Sequence, residues 1–444
     1  MNREILRIAI PNIISNITVP LMGIASTIIA GRIAGSDGAT TIGALSIGVA
    51  IFNFIYWNCS FIRMGTSGLT AQAFGAEQHK EYTLMLWRAV VVALGVGMVA
   101  FSLQWPIGEF SLWFMSTGDA VSDEMISRYF YTRIWAVPAG IMLFAFNGWL
   151  TGMQNAVVPM AVAIMVNILH ILFSYLFAIV GTWGLEGIAL ASVVAQWTGV
   201  VATVAVILLM YRKRLVAVSW REVIDVESMK RFFSINSDII VRTFCLVAVY
   251  TFFTKASADM GDKNILAVNT ILLQLFTLFS YMNDGFAYAA EALTGRFIGA
   301  RDVVSLRKCI KLCVIWCFVV SFIYVGVYVG WWRDIFSMLV DSSNNNSVEL
   351  IAVAEQYIGW IIAIPIACAL PFVMDGIMVG ATRSRIMRNS MVWSSVCYFA
   401  LLYGTGWLIG NNAIWLAFTS FMFLRGVFQY FMSDRLRDIY SEAE

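Results

Sequence analysis

The chain has 444 residues, of which 60% are hydrophobic and only 13% charged, with a mean hydropathy of +0.78. Soluble domains carry about 25% charged residues, so this composition excludes an ordinary soluble protein and places the chain in a bilayer. A net charge of +2 excludes a basic footprint for nucleic acid, and leaves the charges to matter through where they lie.

A bilayer core about 30 Å thick needs roughly 20 apolar residues in a helix. In chain order the stretches that meet this need run near residues 8–34, 42–66, 84–106, 128–152, 158–181 and 186–210, then 232–257, 264–291, 309–331, 351–380, 388–409 and 411–432. Met1 to Arg7 is charged and precedes an apolar run, as in a secretory signal. The run continues past Ala30 and contains Pro11 and Pro20, so it is too long for a signal's apolar region and reads as span 1. The predicted fold class is an all-α integral membrane protein of twelve transmembrane helices. Residues 1–210 form an N-terminal lobe, 211–231 a cytoplasmic linker and 232–444 a C-terminal lobe.

Lysine and arginine in short loops set the orientation. Arg212, Lys213, Arg214, Arg221, Lys230 and Arg231 fill the linker; Arg301, Arg307 and Lys308 follow span 8; Arg383, Arg385 and Arg388 follow span 10. The opposite loops carry Asp119, Asp123 and Glu124, or Asp341 and the run Asn344, Asn345, Asn346. The first set is therefore cytoplasmic, and with an even span count both termini are too.

Leu69-Thr70-Ala71-Gln72-Ala73-Phe74-Gly75-Ala76 returns as Leu293-Thr294-Gly295-Arg296-Phe297-Ile298-Gly299-Ala300, 224 residues later. At the same spacing Ile42-Gly43-Ala44-Leu45-Ser46 faces Leu266-Ala267-Val268-Asn269-Thr270. Asn147-Gly148-Trp149-Leu150-Thr151-Gly152 faces Asp375-Gly376-Ile377-Met378-Val379-Gly380 at 228. Duplication at half-length in an apolar chain is how many secondary transporters are built, with the substrate path between the halves. Each half has an even number of spans, so the two six-helix repeats are related by a pseudo-two-fold axis along the membrane normal.

An ionisable side chain at the bilayer centre costs at least about 2.5–3.5 kcal/mol on insertion scales, so each one needs a partner, a watery cavity or a function. Asp238 and Arg242 on span 7 are four apart, which predicts a pair on one helix side, structural or breakable. Asp284 and Glu291 on span 8 share a face, with Glu291 near enough to the helix end to reach water. Asp375 lies on span 10. Asp284 and Asp375 are each followed by glycine, as suits an acid held in a narrow interior. The N-terminal spans hold almost no acid. Their polar candidates include Asn53, Asn58, Arg63, Asn147, Gln154, Asn155, Asn167, His170, Ser174 and Gln196, most of them read as interhelical hydrogen-bonders. His170 titrates in the physiological range when unperturbed, and Arg63 is placed to snorkel to the interface.

Cys309, Cys313 and Cys317 recur every four residues and fall on one helix face, without the closer pairing of zinc sites, so they read as packing. Trp57, Phe144, Trp149, Phe276, Phe279 and Tyr281 are candidates to line an adaptable cavity for large organic cations. Pro20 offers a hinge in span 1, and Pro138, Pro365 and Pro371 bends in spans 4 and 10.

With these words in order, the chain resembles the multidrug and toxic compound extrusion (MATE) family over nearly its whole length. The resemblance is nearest to the DinF-like branch, through Ile8-Ala9-Ile10-Pro11, Ser15-Asn16-Ile17-Thr18-Val19-Pro20-Leu21, the segment Gly68 to Ala76, and Gly152-Met153-Gln154-Asn155-Ala156. In the second half it continues through Asp284-Gly285-Phe286-Ala287-Tyr288-Ala289, Asp375-Gly376-Ile377 and Gly380-Ala381-Thr382-Arg383. It implies a monomeric inner-membrane antiporter that expels small organic, often cationic, compounds by alternating access, with a proton or sodium ion flowing inward and no further cofactor.

The same resemblance marks a departure. Relatives of this branch carry an aspartate on span 1 and often a second on span 5, both of which bind the coupling ion. This chain has Ser26 and Ser174 there, at similar depth in the outer half of the bilayer. Three explanations follow: coupling has moved to Asp238, Asp284 and Asp375; His170 stands in; or there is no ion coupling. The first is preferred. Asp375 matches a position used by sodium-linked relatives, but Arg242 stands about where those carry a glutamate.

The competing reading is a flippase of lipid-linked substrates or an exporter of organic anions, for which Arg63, Arg133 and Arg242 suit a negative headgroup. Additional spans are usual in such flippases. An enzyme finds no support, since His79 and His170 are the only histidines and no nucleophile–base pairing or phosphate-cradling loop is evident.

Overall fold

A computed structural model describes residues 1–33, 38–115, 118–339 and 346–443. Asp341, Asn344, Asn345 and the expected end of span 1 at residue 34 lie outside the described residues. The first half is built from α1 (Asn2–Ala30), α2 (Gly38–Cys59), α3 (Phe61–Gly75), α4 (His79–Ser102), α5 (Gln104–Met115), α6 (Ala120–Arg133), α7 (Val137–Gly152), α8 (Val157–Ser174) and α9 (Gly184–Tyr211). After the short α10 (Trp220–Val223) come α11 (Val226–Asp259), α12 (Lys263–Gly299), α13 (Val303–Leu339), α14 (Asn346–Gly380), α15 (Ser384–Ile409), α16 (Asn411–Met432) and α17 (Arg437–Ser441).

Eleven helical segments among the described residues are long and apolar enough to cross a membrane. α15, with 26 residues, is about 39 Å long and completes the expected twelve. Spans 2 and 4 are each two helices in series. Ser60 separates α2 from α3, its hydroxyl bonding back to the Trp57 carbonyl at 2.7 Å. Between α6 and α7 lies a 3-10 turn, Ile134–Ala136. Pro138 therefore opens α7, where a missing N–H costs nothing, and does not bend span 4 as expected. Span 5 ends in a π-helical turn, Tyr175–Val180, and α13 kinks at Trp331. α1 stays helical through Pro11 and Pro20. α5 is too short to span; its exposed Trp105, Phe110, Trp113 and Phe114 make it a helix of the membrane interface, which apolar length alone did not predict.

Two compact units arise: Ile14–Phe232, and Met1–Ile13 with Phe233–Glu444. In the first, Gly148 and Gly152 of α7 lie against α3. A Cβ on Gly148 would strike the Arg63 carbonyl oxygen, and one on Gly152 would lie 2.6 Å from Thr70 and 2.8 Å from the Ser67 carbonyl oxygen. The second unit repeats the contact, with Gly376 and Gly380 of α14 against the carbonyl oxygens of Ala287 and Glu291 on α12. These partners are the residues aligned by the repeat. In a bilayer, where apolar faces gain little from leaving lipid, such backbone approach is what holds helices together.

The ends of these helices repeat as well. Non-glycine residues take left-handed conformations at Glu77 and Arg301, and at Gln154 and Thr382. Each closes a helix with a six-to-one bond: Gln78 N to Ala73 O and Asp302 N to Phe297 O, both 3.0 Å, then Asn155 N to Leu150 O and Arg383 N to Met378 O.

α10 is strapped to α4 within the first unit. Arg88 donates to the carbonyls of Glu222 and Val223 at 2.9 and 3.2 Å, and Lys80 bonds Glu222. That bond and the Ser219 capping contacts hold the Glu222 carboxyl down to about 2. In the second unit, the start of α1 packs inward: Glu4 pairs with Arg296 at 3.2 Å, and a Cβ on Gly285 would meet Ala9 and Ile13.

Candidate functional site

Each unit encloses a polar cluster within apolar helices. In the first, α1, α8 and α9 converge on His170, which is buried. Its Nε2 lies 3.1 Å from Ser26 Oγ and 3.5 Å from Ser174 Oγ, and its Nδ1 3.3 Å from Ser192 Oγ. Ser26 and Ser174 thus meet on one imidazole. Ser26 also donates to the Met22 carbonyl at 3.0 Å. Because a hydroxyl both donates and accepts, this shell serves either neutral tautomer and the imidazolium by rotation alone. Lower in the unit Asn167 donates to Thr18 at 2.7 Å, and the Tyr56 hydroxyl to Gln196 Oε1 at 3.0 Å.

In the second unit Asp375 on α14 is buried beneath α11 and α16. Its Oδ2 accepts from Arg242 Nη2 at 2.6 Å and lies 3.7 Å from Arg425, while its Oδ1 accepts from Gln429 Nε2 at 2.6 Å. Asp238 is bound elsewhere, accepting from Arg388 Nη1 at 2.6 Å and Ser384 Oγ at 2.7 Å. The expected Asp238–Arg242 pair does not form. Two residues on one helix gain only about 0.3–0.5 kcal/mol by pairing, whereas each here finds a partner on another helix, Arg242 with Asp375 in a largely buried site and Asp238 with the half-exposed Arg388.

Other expectations shift with packing. Trp149 is fully buried and donates to the Tyr82 carbonyl at 2.7 Å, and Phe276 is packed into the aromatic core with Phe279 and Phe418; both are packing residues, not cavity lining. Glu291 is buried instead of reaching water, because α12 runs two turns further, to Gly299. Asn147, Arg63, Tyr281 and Asp284 are half-buried, and Trp57 is exposed. Asn147 Oδ1 is buried without a hydrogen-bond partner among the described residues. Cys309, Cys313 and Cys317 are wholly buried, with 4.0 Å between the first two sulfurs.

Sequence reasoning overlooked Ser192, Ser384, Arg425 and Gln429, and treated Arg388 only as a loop charge. The signal for one pair was present: Arg425 and Gln429 stand four apart inside an apolar span, which places both on one helix face.

A duplicated set of twelve membrane-spanning helices, with a buried polar cluster in each half, defines an integral-membrane transporter. The sequence matches the MatE family over residues 11–176 and again over 239–404, so the family's unit covers each repeat in turn. The chain belongs to this family, whose members are transporters and not enzymes. It is 31% identical over 435 residues to DNA damage-inducible protein F of Escherichia coli K12, covering 96% of this chain and 90% of that one. It is 22% identical to a probable multidrug resistance protein NorM of Pseudomonas syringae pv. tomato, over 92% and 88% of the two chains. Among solved structures, an outward-facing multidrug resistance MATE family transporter superposes with a TM-score of 0.86 at 16% identity, covering 98% of this chain and 96% of its own. A transporter of the same superfamily from Pyrococcus furiosus gives 0.83 at 16% identity over 99% and 96%. These likenesses show the fold.

Proposed function

We propose that this protein is a secondary active antiporter of the inner membrane, both termini cytoplasmic, that exports small amphipathic organic compounds by alternating access in exchange for inward protons. The observation that carries the coupling is the pairing of Asp375 with Gln429. Gln429 donates its amide N–H to the carboxylate, while its Oε1 is buried without a partner among the described residues. Rotating the amide by half a turn presents that oxygen to a protonated Asp375, so Gln429 serves both protonation states. Protonation also cancels the charge that holds Arg242. The bond between α11 and α14 is then weakened, which makes the pair a two-state element that a proton biases.

Purified protein in proteoliposomes tests this, with uptake of a cationic dye such as ethidium followed under separately imposed proton and sodium gradients. Transport driven by the proton gradient and reduced in Asp375→Asn is the expected result. A response to neither gradient sinks the antiporter reading, and a sodium response alone sinks the choice of ion.

The charge of the interior supports a second reading, export of organic anions. Asp375 is met by two guanidiniums, Arg242 and Arg425, and Arg133 meets no carboxylate among the described residues. A substrate bearing a negative group would balance such an interior.

A further inference from the structure

Arg133 is a buried cation that the proton-coupling scheme does not use. It closes α6 and is 7% exposed. Its guanidinium carbon lies 4.8 Å from the centroid of the Phe52 ring and 5.5 Å from that of Tyr129, and Nη1 donates to the Tyr129 hydroxyl. Its Nε is fully buried and has no hydrogen-bond partner among the described residues. Rings and a phenol attract a cation without neutralising it. The α6 C-terminus adds at most a partial negative charge, and the chain continues there into the 3-10 turn.

The other guanidiniums that reach into these clusters are provided for. Arg242 and Arg425 face Asp375, Arg388 pairs with Asp238, and Arg88 bonds two main-chain carbonyls. Arg133 alone of these five meets neither a carboxylate nor a carbonyl among the described residues. A buried charge left uncompensated is costly, and a guanidinium's planar fork of donors matches a carboxylate.

We propose that Arg133 anchors a monoanion site in the first unit, which takes the carboxylate of a small amphipathic substrate with an aromatic body. Because the guanidinium is buried, the site loads only when the interior opens, as alternating access provides; the inference therefore rests on the second reading above and gives its substrate a chemical class.

Full-length protein in lipid nanodiscs is titrated with 3-phenylpropionate and with its neutral amide, 3-phenylpropanamide, and binding is read by tryptophan fluorescence. The acid is expected to bind at least about tenfold more tightly than the amide, Arg133→Gln to abolish that preference and Arg133→Lys to keep most of it. Repeating the titration with and without chloride separates the sources of the anion. Chloride that competes with the acid in wild type but not in Arg133→Gln supports a general monoanion site, and lack of competition supports a carboxylate site. Equal binding of acid and amide, or a preference that survives Arg133→Gln, overturns the proposal. Should Arg133→Gln fail to fold, Tyr129→Phe removes the hydroxyl that occupies one guanidinium donor and so frees that donor for the carboxylate; a preference raised about threefold supports the site, and an unchanged or reduced one overturns it. Binding is read at equilibrium without a gradient, so failure here removes the anion site and leaves the antiporter reading to the flux experiment.

Discussion

Gln429 decides what Asp375 can do. With the amide in place, the acid has a partner in both protonation states; without it, a protonated Asp375 would bury an unmatched O–H between two guanidiniums. Gln429→Met keeps the volume and removes the acceptor. It is therefore expected to lower proton-driven efflux about tenfold or more while leaving equilibrium binding of ethidium near wild type. His170→Gln keeps hydrogen-bonding capacity toward Ser26 and Ser192 and is expected to retain most of the flux. The opposite ranking of the two variants in the same liposome assay would move the coupling site to the first unit. At this scale the sequence was only partly legible. Asp375, Ser26, Ser174 and His170 could be singled out because an acid, or its absence, is conspicuous in an apolar span. Which residue met which could not, since Asp238 and Arg242 satisfy the spacing of a pair but pair with other helices.

Glycines at 148, 152, 376 and 380 do for helix pairs what acids do for chemistry: they fix a distance. Gly376→Leu would force α14 away from the Ala287 carbonyl and is expected to abolish folded protein in a detergent-solubilised size-exclusion profile. Gly95→Ala, on α4 where a Cβ meets nothing within 4 Å, is expected to raise stability by about 0.5–1 kcal/mol through helix propensity. Equal yields for both variants would show that close backbone approach does not hold the spans. The strap between α4 and α10 gives a pH prediction. Glu222 falls from its ordinary 4.5 to about 2, chiefly through Lys80, so the folded state favours its anion. Its contribution is complete above pH 4.5 and is lost as pH falls toward 2. Thermal melts of wild type should therefore soften across that window more than those of Glu222→Gln; coincident pH profiles would count against the strap. Helices such as α12 and α13 were legible as spans but not in full length, because their ends are polar and stabilised by caps. Asp302, whose carboxyl is held below its usual range by bonds from Ser305, starts α13 six residues before the expected span.

At the scale of the molecule, the duplication read from Leu69–Ala76 and Leu293–Ala300 reappears in the glycine contacts and in the left-handed helix ends, so the repeat governs backbone as well as sequence. What the repeat did not foretell is that the chain's first 13 residues pack with the second half. Apolar periodicity marks α1 as one span and carries no sign of which neighbours its turns will meet. Ile5 and Ala9 are completely buried, Ile8 nearly so, and Arg296 holds Glu4. Because lipid is as apolar as these side chains, their worth lies in close packing, which a free end cannot recover elsewhere. Two fragments, residues 1–224 and 225–444, co-expressed and tagged on the second, are therefore expected to copurify. Deleting residues 2–13 from the first fragment should lower the melting temperature of the second fragment's core. That core can be followed by labelling Cys309 and Cys313, which are buried in the fold. Labelling that proceeds at the same rate with and without the deletion would mean that α1 belongs wholly to the first unit in function, whatever its contacts.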